Sequence, residues 1–206
     1  MNIFQIKTKP HGTDREAEFI HDKFIAIGWP GIGDLTGVGR AEIKERLKNN
    51  YPYDGQKLGY CLGVVNAFVN TMEERDIVLM SSTRNDHVHI GVVGPYRYEE
   101  NYDNKKDGMC HQRSVEWTKF IPRRDLNDKV QELLRNRGTL TQFKYPVEMA
   151  ELDSFDETGS FQTEVDVPTV PEEIIQKALR VLEEELDSTD PDRRLAAAVE
   201  LLRFSK

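Results

Sequence analysis

Apolar residues in the first two-thirds of the chain form short segments, and their spacing separates strands from helices. The first residues, MNIFQIKT, alternate at their start between apolar and polar positions, which predicts a strand. Four further segments are short apolar or alternating runs that also predict strands, and a TRND turn between the second and third of these favours a hairpin. These runs are FIAIGW (24–29), DIVLMSS (76–82), HVHIGVVG (87–94) and RSVEWTKFI (113–121).

Three other segments of this region predict helices, and the second of them is apolar nearly all round, which indicates a buried helix. Thr13 is followed three residues later by Glu16, a capping-box pattern that predicts a further short helix beginning there. The glycine-rich residues 30–40 predict a loop, and the polar, tyrosine-rich residues 95–110 predict a long loop or an irregular hairpin. The three helical segments are 41–50, 57–72 and 126–137.

The composition changes after Lys144. Residues 146–170 are acidic and have few aliphatic side chains, and three prolines lie between residues 146 and 171, which predicts an extended linker. Residues 171–188 and 190–204 then predict two helices, the second of them capped by Asp190. We expect these two helices to form an antiparallel hairpin.

The negative charge of the chain is concentrated in this C-terminal part. The whole chain has a net charge of −8, whereas residues 1–150 carry +1 and residues 151–206 carry −9. A nearly neutral body with local basic clusters can bind nucleic acid, which a uniformly acidic protein would bind poorly.

The sequence also predicts the compartment. No apolar run approaches the roughly 18 residues that a membrane span needs, and the N-terminus lacks the features of a secretory signal. Cys61 and Cys110 are the only cysteines, too few for a disulfide framework. We therefore expect a cytoplasmic protein with two reduced thiols and no membrane association.

Residues 76–117 hold the pattern that is most informative about function. Gly91 and Gly94 flank the end of a predicted strand, where glycine permits a bend or a close approach of the backbone. Tyr96 and Tyr98 lie two positions apart, so their side chains face the same way in an extended chain.

Further aromatic and polar residues accompany these tyrosines. His111, Arg113 and Trp117 follow within one short segment, and Trp29 ends an earlier strand beside the glycine-rich loop. If the strands close into a small barrel, the aromatic residues meet at one mouth. Such a pocket suits a flipped-out base, since stacking contributes about 1–3 kcal/mol per base and hydrogen bonds to the base edge select its identity.

The order WPGIGDL, DIVL, IGVVGPYRY and HQRSVEW resembles the PUA-like superfamily, particularly its EVE-type members, and the N-terminal specificity modules of modification-dependent restriction systems. The resemblance covers about residues 1–145. It implies a barrel that binds RNA, or DNA with a modified base, in an aromatic pocket. In restriction enzymes a nuclease or motor domain follows such a module, whereas here an acidic helical tail follows, which favours binding over cleavage. The implied pocket residues are Trp29, Asp34, Tyr96, Tyr98 and Trp117, with His111 and Arg113 in support.

Each of these residues also has an ordinary structural explanation. Trp117 in an alternating strand fits a core position, because large aromatic residues are mostly buried. Tyr96 and Tyr98 fit the rim of a barrel, and His111 and Arg113 fit hydrogen bonds to a loop.

A basic stretch provides a second candidate site. Residues 105–144 hold ten lysines and arginines against five acids. Clustered cations bind phosphate groups, and each phosphate contact steepens the salt dependence of binding. A solvated surface is the alternative explanation. The candidate phosphate-binding residues are Lys105, Lys106, Lys119, Arg123 and Arg124.

Other motifs indicate neither a metal site nor catalysis. His87 and His89 share one face of a strand, but no further ligand follows at metal-binding spacing, and we expect no metal. The glycine-rich residues 31–39 lack the spacing of a phosphate-binding loop, so we interpret them as a mobile loop over the pocket. Cys110 beside His111 lacks the geometry of a nucleophile and its base. We expect no cofactor and no catalytic residues, and binding is favoured over enzymatic activity.

The sequence thus predicts an α+β protein in three parts. Residues 1–145 form a PUA-like, bent, mostly antiparallel β-barrel with surrounding helices, residues 146–170 an acidic linker, and residues 171–206 a helical hairpin. The predicted function is nucleic-acid binding, with DNA favoured over RNA, through an aromatic pocket that reads a modified base and without nuclease activity. The alternative is a protein–protein interaction module or an accessory protein of a defence system. In that case the acidic helical tail binds a partner or self-associates.

Overall fold

Six strands form one curled sheet with the shape of a half-barrel, and helices accompany it in an α+β fold. The computed structural model describes residues 1–152, 172–188 and 190–204, and the chain divides into two compact units, residues 1–160 and 161–206. The strands are β1 (Ile3–Ile6), β2 (Phe24–Ile27), β3 (Ile77–Ser81), β4 (His87–Tyr98), β5 (His111–Pro122) and β6 (Leu140–Gln142). The helices of the first unit are α1 (Glu16–His21), α2 (Arg40–Asn50), α3 (Gly55–Asn66) and α4 (Asp128–Leu134).

The sheet is mostly antiparallel, as the sequence predicts. Its strand order is β2-β5-β4-β3-β1-β6, and only β1 and β3 pair in parallel. The pattern did not predict β6, which has three residues, and it ended β4 too early, because residues 95–98 continue that strand. The α+β class is confirmed.

The sheet carries a core on each face. On one face α1, α2 and α3 pack against β2, β3 and β5 through residues such as Phe19, Leu47 and Val65. On the other face α4 packs against β1, β3 and β4 through Val130 and Leu133. Both faces of the sheet are therefore covered by a core. A binding site is most readily formed at the ends of the strands.

Two glycines allow β4 and β5 to bend. The pairing register shifts between Ile90 and Gly91 and again between Val93 and Tyr96. A Cβ atom on Gly91 would lie only 2.9 Å from the Trp117 ring, and one on Gly94 would meet Ser114. The close backbone approach predicted for these glycines is confirmed.

Replacing Gly91 with alanine should therefore destabilise the protein by about 1–3 kcal/mol, the usual cost of overpacking a core. The new methyl group would collide with Val115 and Trp117, which cannot both move away within the sheet. Gly59→Ala in α3 is the matched control. No atom lies within 4 Å of its Cβ position, and alanine has a higher helix propensity by about 1 kcal/mol. Urea denaturation of both variants measures the difference, and equal stability of Gly91→Ala and wild type would contradict this packing.

The predicted capping box at the start of α1 is wrong. The helix begins at Glu16, and its N-cap residue, Arg15, makes no capping hydrogen bond through its side chain. Glu16 turns instead toward the sheet, where its carboxylate accepts hydrogen bonds from Thr83 and contacts His89. A buried tertiary contact thus replaces the local bond to the backbone.

The C-terminal unit contains two helices, α5 (Glu172–Leu186) and α6 (Pro191–Phe204), which pack against each other as a hairpin. Arg193 at the start of α6 lies 3.6 Å from Glu185 near the end of α5. Several aliphatic side chains of the pair are exposed, namely Val181, Leu186, Leu195 and Val199.

The predicted linker is described only in part. Residues 147–152 belong to the first unit, where a short 3-10 turn (Val147–Ala150) buries Ala150 and Leu152 against the α4 face of the sheet. The rest of that prediction, from residue 153 onward, lies outside the described residues. Within the described ranges, none of the helices has the length and apolar character that crossing a bilayer requires.

Candidate functional site

The loop that follows β2 carries an unusual backbone. Trp29 adopts a left-handed conformation with a φ of 72°, and Gly31 and Gly33 in the same loop also have positive φ values. Such a conformation costs a residue other than glycine on the order of 1 kcal/mol or more and persists only when its surroundings hold it. The indole is therefore kept in place against a local preference.

On one side of this loop, Trp29 joins two tyrosines. The Trp29 indole interacts with Tyr53 and with the Cys61 thiol. Tyr53 stacks on Tyr51 with ring centroids 4.8 Å apart, and the Tyr51 hydroxyl donates a hydrogen bond to the Pro30 carbonyl at 2.6 Å. All three rings are half-buried and pack against the core.

On the other side of the loop, two tyrosines of β4 surround a histidine of β5. The centroids of the Tyr96 and Tyr98 rings lie 6.1 and 5.9 Å from that of the His111 ring, and the Tyr96 hydroxyl lies 2.8 Å from His111 Nδ1. The register explains this, since Tyr98 pairs directly with His111 across the two strands. The tyrosines are half-buried and His111 is fully buried.

The protonation of His111 follows from its surroundings. Burial lowers its pKa to about 4, even though Asp103, the Trp29 main chain and Asp34 act in the opposite direction, so the ring is neutral at pH 7. Tyr96 Oη also accepts a bond from the Leu35 amide, so the proton of its hydroxyl points to His111 Nδ1. This network assigns the ring proton to Nε2. Among the described residues, Nε2 makes no hydrogen bond of normal geometry, and the Trp29 main chain lies close enough to the ring to favour its protonated form.

Asp103 ties the loop to the sheet. Its carboxylate accepts hydrogen bonds from the Gly31 amide and from the Tyr98 hydroxyl. Burial and the Asp103 carboxylate together raise the pKa of Tyr98 and raise that of the Cys110 thiol to about 12. Both groups therefore stay protonated, and Cys110 is a poor nucleophile.

The aromatic rings on the two sides of the loop form one group, the aromatic cluster, which consists of Trp29, Tyr51, Tyr53, Tyr96, Tyr98 and His111. Asp34 lies exposed beside it, and hydrogen bonds from Thr36 lower the pKa of Asp34, which keeps its carboxylate charged. The cluster thus combines half-buried aromatic rings, one buried N–H donor and one charged acceptor. The chemistry available to it is stacking and hydrogen bonding.

Arg113, predicted to support the pocket, makes other contacts. Its guanidinium is buried and donates hydrogen bonds to the carbonyls of Phe68, Val69, Met72 and Gly94, at distances of 2.6 to 3.1 Å. The first three acceptors belong to the π-helical turn that ends α3 (Ala67–Thr71) and to the residue after it. Arg113 therefore joins this turn to the sheet and uses four of its five N–H donors in doing so.

Trp117 also lies apart from the aromatic cluster. It is six residues beyond His111 on β5, roughly 20 Å along an extended strand. Its indole donates a hydrogen bond to the Phe19 carbonyl at 2.9 Å, and its ring packs edge-on against His89. The single mouth that was expected to include both tryptophans is not what the structure shows.

His89 and Glu16 form a buried pair in this second region. His89 Nε2 lies 3.1 Å from the Glu16 carboxylate. Burial acts to raise the pKa of Glu16, but hydrogen bonds from Ser82, Thr83 and His89 outweigh it and lower the pKa to about 2. Within the described residues, no group of three or more His, Cys, Asp or Glu residues has the arrangement of a metal site.

The predicted phosphate-binding residues do not form one patch. Lys105 and Lys106 are exposed in the loop before β5, close in the chain to Asp103, which bonds to Tyr98 of the aromatic cluster, whereas Arg123 and Arg124 follow the opposite end of that strand. Lys119 donates a hydrogen bond to the Leu152 carbonyl at 2.9 Å. A ligand at the aromatic cluster is therefore near the first two lysines only.

Three members of the site were not predicted from the sequence. Tyr51 and Tyr53 follow α2 and come to Trp29 only through the packing of α2 and α3, and Asp103 lies in the loop between β4 and β5. The YPYD segment after a predicted helix and the acidic residue in a tyrosine-rich loop were the available signals. Neither indicates which loops meet.

Comparison with known proteins gives a family and no described function. No curated protein matches the chain. Residues 4–144 match the model of a family described as a domain of unknown function, DUF8426. The match spans β1 to β6, which includes every residue of the aromatic cluster. Because it covers more than half of the sequence, the chain belongs to the DUF8426 family of domains of unknown function.

Proposed function

We propose that the first unit is a PUA-like nucleic-acid-binding module and that the aromatic cluster holds a base, most readily a modified base in DNA. The observation that carries this proposal is the half-buried Trp29, Tyr96 and Tyr98 around a fully buried His111, whose Nε2 makes no hydrogen bond of normal geometry to the described residues. Buried polar groups without partners are rare in folded proteins, and each requires an explanation. A ligand atom that accepts the Nε2 proton would provide one.

The chemistry of the cluster matches the requirements of base recognition. Aromatic faces stack on any base, at about 1–3 kcal/mol each. Hydrogen bonds then select among bases, and the cluster offers a donor at His111 Nε2 and a charged acceptor at Asp34. A base edge with both an acceptor and an amino group fits this pair.

The backbone of a nucleic acid would find cations beside the cluster. Lys105 and Lys106 are exposed in the loop that also carries Asp103, which binds the Gly31 amide. If both lysines contact phosphates, the logarithm of the binding constant should fall with the logarithm of salt concentration with a slope of about −2 from these two contacts.

The two tryptophans of the chain permit a direct test, because one lies in the cluster and the other does not. Trp117→Phe leaves Trp29 as the only indole, and Trp29→Phe leaves Trp117. Titration with short DNA duplexes containing plain or 5-methylated cytosine should quench the fluorescence of the Trp117→Phe protein. The same titration should leave the fluorescence of the Trp29→Phe protein unchanged. Its remaining indole, that of Trp117, is hydrogen-bonded to Phe19 and lies about 20 Å along β5 from His111.

Three outcomes are informative. Quenching in the Trp117→Phe protein alone supports a base in the cluster, and a stronger response to the methylated duplex supports reading of the modification. A parallel titration with single-stranded RNA tests the preference for DNA. Absence of salt-dependent binding to all three nucleic acids would contradict the proposal.

A further inference from the structure

A second polar region lies where β1, β3 and β5 end, on the sheet face that packs against α4. Ile6 pairs with Met80 in the parallel ladder, so Lys7 and Ser81, which follow them, are neighbours on adjacent strands. Both continue the face of the sheet to which Ile3 and Leu79 belong. The aromatic cluster, in contrast, packs on the core of the opposite face.

Arg123 reaches the same corner from the far side. Ser81 pairs with Val88, Val88 pairs with Ile121, and Arg123 follows two residues later. The Arg123 amide donates to the Asp86 carbonyl, which fixes the backbone of the turn that begins there. The long side chains of Lys7 and Arg123 thus approach each other across the row that contains Ser81.

Among the described residues, none of the ion pairs places an anion between these two cations. Both side chains are half-buried. Burial and the neighbouring Arg123 guanidinium lower the pKa of Lys7. Among the described residues, no carboxylate lies within ion-pair distance of either side chain. Like charges that approach in a half-buried place destabilise a protein unless an anion joins them.

Polar atoms beside the cations are also unpaired. Within the described chain, Ser81 Oγ is buried without a hydrogen-bond partner, and so is Oε1 of Gln5, a fully buried residue on the same face. The Gln5 amide nitrogen donates to the Asn136 carbonyl at 3.3 Å. Within the described residues, the Ser81 hydroxyl therefore has a free proton next to two cations, whereas the unpaired Gln5 atom is an acceptor and would not contact an anion.

We propose that Lys7, Arg123 and Ser81 form a phosphate-binding site, separate from the aromatic cluster. The guanidinium supplies a planar pair of N–H donors, the ammonium a point charge and the serine a hydroxyl donor, which together match a tetrahedral oxyanion. The phosphate comes either from a free phosphate compound or from the backbone of a nucleic acid. The site does not depend on the proposed base-binding function.

Thermal unfolding of the full chain, measured against inorganic phosphate at neutral pH and constant ionic strength, tests the site. Phosphate should raise the midpoint of the wild type more than chloride does, since a ligand that binds only the folded state stabilises it. Lys7→Gln and Arg123→Gln should each raise the dissociation constant for phosphate about tenfold or more, as expected for the loss of a charge-assisted hydrogen bond. Without phosphate, Lys7→Gln should be at least as stable as wild type, because the repulsion is removed.

Lys9→Gln is the matched control, because Lys9 is exposed and its replacement changes the net charge equally. It should retain the phosphate response. If Lys9→Gln reduces the stabilisation by phosphate as much as Lys7→Gln does, the proposed site is wrong. The same holds if phosphate and chloride stabilise the wild type equally.

A second arm identifies the source of the phosphate. If Lys7→Gln and Arg123→Gln each reduce the salt slope of binding to a DNA duplex by about one, the site binds the nucleic-acid backbone. If they change only the response to inorganic phosphate, it binds a free phosphate compound. Trp29→Phe should leave the phosphate response intact, so failure of base binding and failure of this site are distinguishable.

Discussion

Replacing Arg113 with methionine should lower the free energy of unfolding by roughly 3–5 kcal/mol, even though the new side chain has a similar length. The guanidinium donates to four main-chain carbonyls, those of Phe68, Val69, Met72 and Gly94. Hydrogen bonds to a charged group contribute about 1.5–3 kcal/mol each, and a buried acceptor left without a donor costs about 1–3 kcal/mol. These contributions are not additive, so the expected total is that of two such losses.

Urea denaturation compares this variant with two others. Arg113→Lys should recover only a small part of the loss, because one ammonium cannot reproduce a planar fork that reaches acceptors on both sides. Arg97→Met is the control on the neighbouring strand. Its guanidinium is half exposed and bonds to Gln112, so the expected change is below about 1 kcal/mol. A loss of similar size in Arg97→Met and Arg113→Met would contradict the role of Arg113 in joining the π-helical turn to the sheet.

Arg113 shows how far sequence order predicts a site. Arg113 follows His111 by two residues in the sequence, and both side chains are buried on β5. What the pattern could not provide was the neighbour that each side chain meets. His111 faces the tyrosines of β4, whereas Arg113 faces the carbonyls left open by a π-helical turn about 45 residues earlier in the chain.

Trp117 illustrates a different difficulty, that of distance along a strand. Residues in one motif are adjacent in the sequence, yet six positions of extended chain separate two side chains by roughly 20 Å. The pattern HQRSVEW therefore joins two regions of the molecule, one at His111 and one at Trp117, where the indole bonds to Phe19. The closeness of these residues in the sequence was therefore misleading about the extent of the site.

The fold itself was largely readable because its elements are long or strongly patterned. Alternation and apolar runs located β1 to β5, and helical spacing located α2, α3 and α4. The three-residue β6 is too short to show a period, and the end of β4 was hidden by the polar side chains of an exposed strand end. These errors arose where pairing with a neighbouring strand, rather than local preference, decides the structure.

Arg113, at the start of β5, has a structural role close to the candidate site, and this affects the choice of variants. Arg113 holds the end of α3, and α3 carries the Cys61 thiol beside Trp29. A variant at Arg113 would weaken ligand binding through loss of folding alone. Variants that test binding should therefore change Trp29 or Tyr98, whose rings are only half-buried.

Acidification should destabilise the protein, and His111 should account for roughly 3 kcal/mol of the loss. Burial lowers its pKa from 6.5 to about 4 in the folded protein, and each unit of difference corresponds to 1.36 kcal/mol. Between these two values the unfolded chain binds a proton that the folded protein does not, so stability rises with pH. The contribution is fully present above pH 6.5 and is lost as the pH falls toward 4.

His111→Asn tests this directly, because an amide of similar shape faces Tyr96 without titrating. Urea denaturation at several pH values should show a flatter dependence for this variant than for wild type. Burial also lowers the pKa of His89, so a smaller slope of the same sign should remain. His21→Asn, which alters a ring that is 88% exposed, should retain the wild-type profile. If His111→Asn keeps the full slope, folding does not lower the pKa of His111, and the neutral ring assigned to the aromatic cluster is wrong.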